Sequence, residues 1–332
     1  VEHRPSLDPA VAAVRLAVRR ALEPLTGPGT VAVALSGGAD SLALAAATAF
    51  EAPKLGLDVV SITVDHGLQP GSDAVAQNAA RQAEALGIRS LVVSVAVGAG
   101  GGPEAAAREA RYRALTDAAA GAGATALLLG HTLDDQAETV LLGLARGSGA
   151  ASLQGMAAAS AQRGMTLLRP LLTVRREATR AACVAQDLQP WEDPHNAEPR
   201  FARVRVRETV LPVLEAELGP GVAEALARTA EQLREDAEAF DEMIEETIED
   251  IVEHAEAGIS VSVAALAANP AALRHRVIRH VVTSEFGESL TRAQTLEVAR
   301  LVTDWSGQGP IDLPGCTARR AGGRIEFTAR SA

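Results

Sequence analysis

The chain reads as short apolar runs alternating with longer stretches in which apolar residues recur every three to four positions. Val31-Ala32-Val33-Ala34-Leu35 is continuous and rich in β-formers, which suits a strand buried on both faces. Leu57–Val64, Ser90–Val95 and Thr125–Leu129 repeat that character. Between them Ser41–Phe50, Ser72–Leu86 and Pro103–Ala120 read as helices. Pro9–Glu23 precedes them as an amphipathic helix, with Asp8 as N-cap and Pro9 at the first helical position. Strands alternating with helices of this length predict an α/β fold on a doubly wound parallel sheet. Ligands of such sheets sit beyond the carboxyl ends of the strands.

The pattern then loosens. Gly98–Gly102 reads as flexible, and Asp134–Leu144 as a helix. Thr166–Leu168 is strand-like, Thr173–Gln186 helical, Trp191–Pro199 a loop, and Val204–Leu218 helical around a break at Pro212. Val222–Ala255 reads as one long acidic helix stopped by Gly258. Ser260–Ala332 reads as a small α+β unit, with helices near Pro270–Ser284 and Thr291–Thr303 and strands near Ile311 and Ile325. The expected domains are 1–215, a helical linker 216–258 and a small C-terminal domain 259–332.

Composition narrows the classes. The 332 residues suffice for two domains, and no stretch is apolar enough to span a membrane. The first ten residues carry no apolar signal core, so export is not expected. Two distant cysteines, Cys183 and Cys316, argue against a disulfide framework, a zinc finger or an iron–sulfur site, and a reducing cytoplasm is expected. The net charge of −11 hides an asymmetry: residues 163–207 hold nine Arg against five acids, and residues 208–256 hold sixteen acids against two Arg. An acidic chain with a local basic stretch can still bind RNA there.

Two strings carry candidate chemistry. Ser36-Gly37-Gly38-Ala39-Asp40-Ser41 joins the first strand to a helix. Its glycines let the backbone approach a ligand, and the amides at the helix start favour an anion, with the Ser36 and Ser41 hydroxyls as further donors. No Lys precedes Ser41, so this is not a Walker A loop. Gly130-His131-Thr132-Leu133-Asp134-Asp135-Gln136-Ala137-Glu138-Thr139 follows the fourth strand. There Asp134, Asp135 and Glu138 share one helix face. Acids in a first turn also suit the helix dipole, which accounts for Asp134 without accounting for His131 or Glu138. Carboxylates beside a phosphate loop suit Mg²⁺, with Asp40 and Asp135 as its candidate ligands. Asp65-His66 ends the second strand and should join the same site. Arg175, Arg176 and Arg180 read as a solvated helix face, Trp191 as core or a loop anchor, and the acids of 231–253 as an exposed face and spacer.

The SGGADS string resembles the loop of the PP-loop ATP pyrophosphatases, a superfamily with an adenine nucleotide α-hydrolase-like fold. With HTLDDQAET the resemblance sharpens to the tRNA(Ile)-lysidine synthetases and the related tRNA cytidine thiolases. Val64–Leu68, Arg108–Tyr112, Leu141–Gly149, Arg169-Pro170-Leu171, Glu192–Asn196 and Arg203–Arg207 extend it over about residues 30–213. Two positions depart: Gln69 stands where the family often has Arg, and Val204 where it often has Asn.

The resemblance implies that ATP adenylates cytidine 34 in the CAU anticodon of a tRNA(Ile), and that L-lysine then displaces AMP. It implies ATP contacts at Ser36, Gly37, Gly38, Asp40, Ser41, Asp65 and His66. It implies catalytic roles for Asp40, His131, Asp135 and Glu138, with Asp135 or Glu138 taking the lysine proton. Arg108, Arg111, Arg203, Arg205 and Arg207 would contact the adenylate or the tRNA. A homodimer is left open. A thiolase would need sulfur-relay cysteines, and an NAD synthetase-like amidating enzyme gives no reason for the Arg-rich segment. These two remain the alternatives.

Overall fold

The computed structural model describes residues 7–25, 27–65, 67, 71–95, 103–147, 149–193, 198–255 and 258–330. His66, Gln69, Gly98–Gly102 and Pro194-His195-Asn196 lie outside the described residues. Contacts divide the chain into two compact units, Val1–Arg234 and Glu235–Ala332.

The first unit begins with α1 (Pro9–Leu22), whose N-terminus is held by Asp8 accepting a 2.8 Å hydrogen bond from the Ala10 amide. Then come β1 (Gly29–Ala34), α2 (Ala39–Glu51), β2 (Leu57–Asp65), α3 (Ser72–Ala85), β3 (Arg89–Ser94), α4 (Pro103–Gly121) and β4 (Ala124–Leu128). They are followed by α5 (Leu133–Arg146), a short α6 (Ala150–Leu153), a hairpin of β5 (Ala159–Gln162) and β6 (Met165–Leu168), and α7 (Arg176–Val184). The sheet order is β3-β2-β1-β4-β6-β5, parallel except for β5. The doubly wound expectation therefore holds. The order reverses between β1 and β4, which opens the crevice where such sheets bind ligands. Val11, Leu22, Leu42, Ala79 and Cys183 pack together on one face of the sheet, and Tyr112, Leu115 and Ala119 of α4 on the other.

The segment expected to be helical from Thr173 instead starts with a 3-10 turn, Pro170–Thr173, and the α-helix begins at Arg176. After Phe201 the chain runs helically as α8 (Ala202–Arg205), a π-turn (Val206–Val210) and α9 (Leu211–Leu218). The wider turn accommodates Pro212, which lacks the amide an α-helix would use.

α10 spans Val222–Ile251, and the unit boundary falls within it. The helix was expected to reach Ala255; instead Val252–Ala255 forms β7, antiparallel to β8 (Gly258–Ser262). A partner strand is available there, and that outweighs the helical preference of an acidic stretch. The second unit continues with α11 (Val263–Ala268), α12 (Ala271–Phe286), α13 (Arg292–Thr303), β9 (Ile311–Asp312), β10 (Cys316–Ala321) and β11 (Arg324–Ala329). Its antiparallel sheet runs β7-β8-β11-β10-β9 over a core that includes Ile259, Val277, Val281, Leu301 and Phe327.

Candidate active site

The loop after β1 forms as its glycines dictate. Gly37 takes φ +85, and Gly38 caps α2 without a side chain, which leaves the first-turn amides facing outward. The serine hydroxyls are turned onto the loop itself. Ser41 Oγ donates to the Gly38 carbonyl at 2.9 Å and lies 3.1 Å from Ser36 Oγ, and the Ser36 amide donates to Ser41 Oγ at 3.2 Å. The loop is therefore braced from within, and its anion-binding capacity rests on the backbone. Trp191 proves to be a loop anchor: its amide donates to the Gly37 carbonyl at 2.9 Å. Across the crevice, a Cβ on Gly130 would come within 3.2 Å of the Asp40 carbonyl carbon and the Ser41 nitrogen. A side chain there would push the end of β4 and the start of α2 apart by a few tenths of an ångström.

Asp40 stands in the first turn of α2. One carboxylate oxygen accepts a hydrogen bond from Thr179 Oγ1, and the other lies 3.6 Å from Arg176 Nε. Burial raises its pKa; Thr179 and Arg176 oppose that shift, and the nearby Asp135 adds to it.

The second string forms the start of α5 as a capping box. Asp135 Oδ2 accepts from the Thr132 amide at 2.8 Å and from its hydroxyl at 2.9 Å, while Thr132 Oγ1 accepts from the Asp135 amide at 3.4 Å. Asp134 accepts the Arg176 amide at 2.7 Å and so caps α7. Asp135 Oδ1 pairs with Arg176 at 2.8 Å and Arg207 at 3.6 Å. Burial works to raise the Asp135 pKa, but Arg176 and the Thr132 amide bring it below its ordinary value. Glu138 is fully buried. It is gripped by Arg207 through both oxygens at 2.7 and 3.1 Å, by Arg176 at 3.1 Å and by Arg203 at 3.6 Å. Arg203 also donates to Thr139 at 3.0 Å.

The structure thus gathers the glycine loop, Asp40, Asp135, Glu138, Arg203 and Arg207 around Arg176. Arg205 does not join them; it donates to the Pro199 and Arg200 carbonyls at 2.7 and 2.9 Å. Asp65 ends β2, and its Oδ1 accepts from the Gly67 amide at 3.0 Å. Arg108 and Arg111 flank Tyr112 on α4.

Over most of its length the chain resembles named proteins. It is 58% identical over 306 residues to the tRNA(Ile)-lysidine synthase of Leifsonia xyli subsp. xyli, covering 92% of this chain and 91% of that one. It is 54% identical over 324 residues to the protein of the same name from Salinispora tropica, covering 96% of each. The chain belongs to the tRNA(Ile)-lysidine synthase family. The PP-loop domain matches residues 13–214, and the TilS substrate binding domain matches residues 262–326. The U34-tRNA thiolase NcsA from Methanococcus maripaludis, a structure with a [4Fe-4S] cluster, shares the fold at TM-score 0.58 and 21% identity, covering 68% of this chain and 80% of that one.

In this lysidine synthase family member both cysteines are buried, and burial pushes each thiol up to about 11. Neither is poised as a thiolate. Among the described residues no group of three or more metal-ligating side chains forms.

Arg176 corrects the sequence reading. It was expected on a solvated face with Arg175 and Arg180, yet its side chain is only 14% exposed and bridges Asp40, Asp135 and Glu138. Arg175 is half-exposed and pairs with Asp134 and Glu224, while Arg180 faces solvent as expected. The signal lay in spacing: Arg176 shares the stripe of Thr179, Ala182 and Cys183, all buried.

His131 is held neutral. Burial lowers its pKa to about 4; the Asp135 charge opposes this, and Arg169, Arg108 and Arg111 reinforce it. The unfolded chain takes up this proton below its ordinary 6.5, whereas the fold resists until about 4. The stabilising contribution is complete above 6.5 and is lost as pH falls from there toward 4. Wild-type stability should therefore fall by about 2 kcal/mol more than that of His131→Gln between roughly pH 7 and 5. Urea titrations of both proteins at the two pH values measure the difference, and parallel losses would count against a neutral His131.

Proposed function

We propose that this protein ligates L-lysine to C2 of cytidine 34 in the CAU anticodon of tRNA(Ile), releasing AMP and pyrophosphate. Support comes chiefly from the 54–58% identity to lysidine synthases over nearly the whole chain, joined to a glycine loop whose half-buried Asp40 is held by Thr179. The α2 amides and Gly37 would receive ATP phosphates, and the cytosine O2 would attack the α-phosphorus to give the adenylate. Asp40 and Asp135 suit Mg²⁺ as a pair of neighbouring carboxylates. With two protein groups, the ion would take the rest of its shell from phosphate and water oxygens, and when bound it neutralises phosphate charge.

The second step needs a nucleophile and a proton acceptor. A free lysine side chain is protonated near neutral pH, with a reference pKa of about 10.4. The neutral fraction of the amine forms the bond to C2, and the protons its nitrogen still carries then become far more acidic, so a carboxylate with a low pKa is an adequate base for that loss. Asp135 and Glu138 are the two candidates: Arg176 and Arg207 pair with both, Arg203 with Glu138 alone, and the one that does not hold Mg²⁺ takes the proton. The anticodon base is already single-stranded, so little unpairing energy is spent. Such a substrate places the work in the cytoplasm. Among the described residues no helix is long and apolar enough to cross a membrane.

The test combines ATP, Mg²⁺ and an unmodified tRNA(Ile) transcript with lysine, followed by mass spectrometry of the digested nucleosides. Lysidine is expected in wild type and in the Cys183→Ser/Cys316→Ser variant. Ornithine, one methylene shorter, should react at least about tenfold more slowly, since misplacement near 1 Å can cost about 10²-fold. A thiolated cytidine, or turnover of deamido-NAD with ammonia and no tRNA, would overturn the proposal.

A further inference from the structure

The glycine loop is held from outside as well as from within. Trp191 donates its amide to the Gly37 carbonyl at 2.9 Å. A Cβ on Gly37 would meet Ala79 Cβ of α3 at 3.4 Å and Trp191 Cβ at 3.9 Å, so Gly37 lies close to both α3 and the Trp191 segment. One turn along α3 from Ala79, Gln82 reaches that same segment. Its Nε2 donates to the Gln189 carbonyl at 2.9 Å, and its Oε1 accepts from the Gln189 amide at 2.8 Å. A single side-chain amide thus satisfies both backbone groups of one residue, as a neighbouring strand would. Pro190 stands between the two tied residues. Its ring fixes its own φ and keeps Gln189 extended, which makes Gln189-Pro190-Trp191 stiff. Upstream, the Leu188 amide donates to the Cys183 carbonyl at 3.0 Å, and Cys183 Sγ donates to the Ala39 carbonyl at 3.3 Å in the first turn of α2.

The Gly37 carbonyl and the Gly38 amide belong to one planar trans peptide and point in opposite directions. Fixing the carbonyl on Trp191 therefore fixes which way the amide faces. That amide meets Ser36 Oγ at 3.4 Å, a long contact that leaves it able to take an anion. Between two glycines, an untethered peptide plane would turn easily. A donor aimed before its ligand arrives removes an ordering cost from binding. We propose that Gln82 is a positioning residue for ATP: through Gln189, Pro190 and Trp191 it holds the Gly37–Gly38 peptide in the orientation that receives a phosphate. The proposal rests on the ATP-binding part of the reading above. Gln82 itself touches no reacting group, and a lone glutamine on a helix gives the sequence no signal of such a role.

The test measures ATP binding to the full chain by titration calorimetry without tRNA, then steady-state kinetics of the complete reaction. Gln82 is half-buried and Gln77, on the same helix, is exposed, so substitutions at both should fold. Gln82→Ala removes both hydrogen bonds and is expected to raise the ATP dissociation constant about five- to tenfold. Gln82→Glu keeps the acceptor but sets a second carboxylate oxygen against the Gln189 carbonyl, and should weaken ATP at least about threefold. KM for ATP should rise by the same factors with kcat within about twofold of wild type, because an ordering cost met at binding weighs equally on ground and transition states. Gln77→Ala should match wild type. In a Trp305→Phe background Trp191 is the sole tryptophan, and Gln82→Ala should make its fluorescence more readily quenched by acrylamide. Wild-type ATP affinity in both Gln82 variants would overturn the proposal, whatever their melting temperatures. So would an equal weakening in Gln77→Ala, or a fall in kcat with KM unchanged. Wild-type protein that bound no ATP would sink the ATP reading and the positioning role together. Normal ATP binding, weakened in Gln82→Ala, with no lysidine formed by wild type, would count against the lysidine reading while supporting the role of Gln82.

Discussion

Asp40→Asn is expected to lower AMP and pyrophosphate release by at least about 10²–10³-fold, the loss typical of removing one charge-stabilising group from a reacting centre. The fold should not suffer. Asparagine keeps an oxygen for the Thr179 hydroxyl and removes a carboxylate that burial already disfavours. An acid whose folded pKa lies above its unfolded value costs stability near neutral pH, so the variant should melt at or slightly above the wild-type temperature. Pyrophosphate release and thermal melting, read on the same preparation, separate the two effects. Turnover within a factor of about three of wild type would remove Asp40 from the chemistry, whereas a lowered melting temperature would make it a structural residue.

Glu138→Ala should behave in the opposite way. The carboxylate is fully buried and neutralises three guanidiniums, one from α7 and two from the helical run that starts at α8. Removing one member of a buried charge cluster typically costs about 3–5 kcal/mol, because the partners stay buried and unpaired. For a unit of this size that corresponds to a drop of roughly 6–20 °C in melting temperature. Activity should fall with it, since Arg176 would lose one of the groups that orient it toward Asp40. Glu138→Gln tests charge against shape and should recover only part of the loss. If Glu138→Ala melted like wild type and merely slowed lysine transfer, the residue would be a substrate contact and not an anchor.

The parallel sheet was legible because its central strands are short, mostly apolar runs between helices. The elements that escaped reading lack such a signature. Ala159–Gln162 contains no β-branched or aromatic residue and is a strand only because β6 lies beside it. Cys316–Ala321 carries two arginines, and its alternation shows only in the burial of Cys316 and Ala318. Val252–Ala255 continues an acidic helix in composition and becomes strand through pairing with β8. The site divides in the same way. The glycine loop and the start of α5 are local strings whose backbone consequences follow from their own residues. Arg176 needed knowledge of where α7 docks: its partners Asp40, Asp135 and Glu138 lie on two other helices. Arg203 and Arg207 were expected at an RNA or adenylate surface; their pairing with Glu138, while each keeps part of its side chain exposed, could not be read from the sequence.

The shared grip on Glu138 has an evolutionary consequence. Arg176, Arg203 and Arg207 each answer to the same carboxylate, and Arg176 answers to Asp40 and Asp135 as well. Side chains that share partners in this way are strongly epistatic, and the effects of changing them do not add. A single replacement strands its neighbours, while a concerted one that removes charge from both sides leaves none unbalanced. Drift at these positions is therefore expected to be slow and correlated. A lineage that altered one of them would be recognised by compensating changes at the others, in helices far apart in the chain.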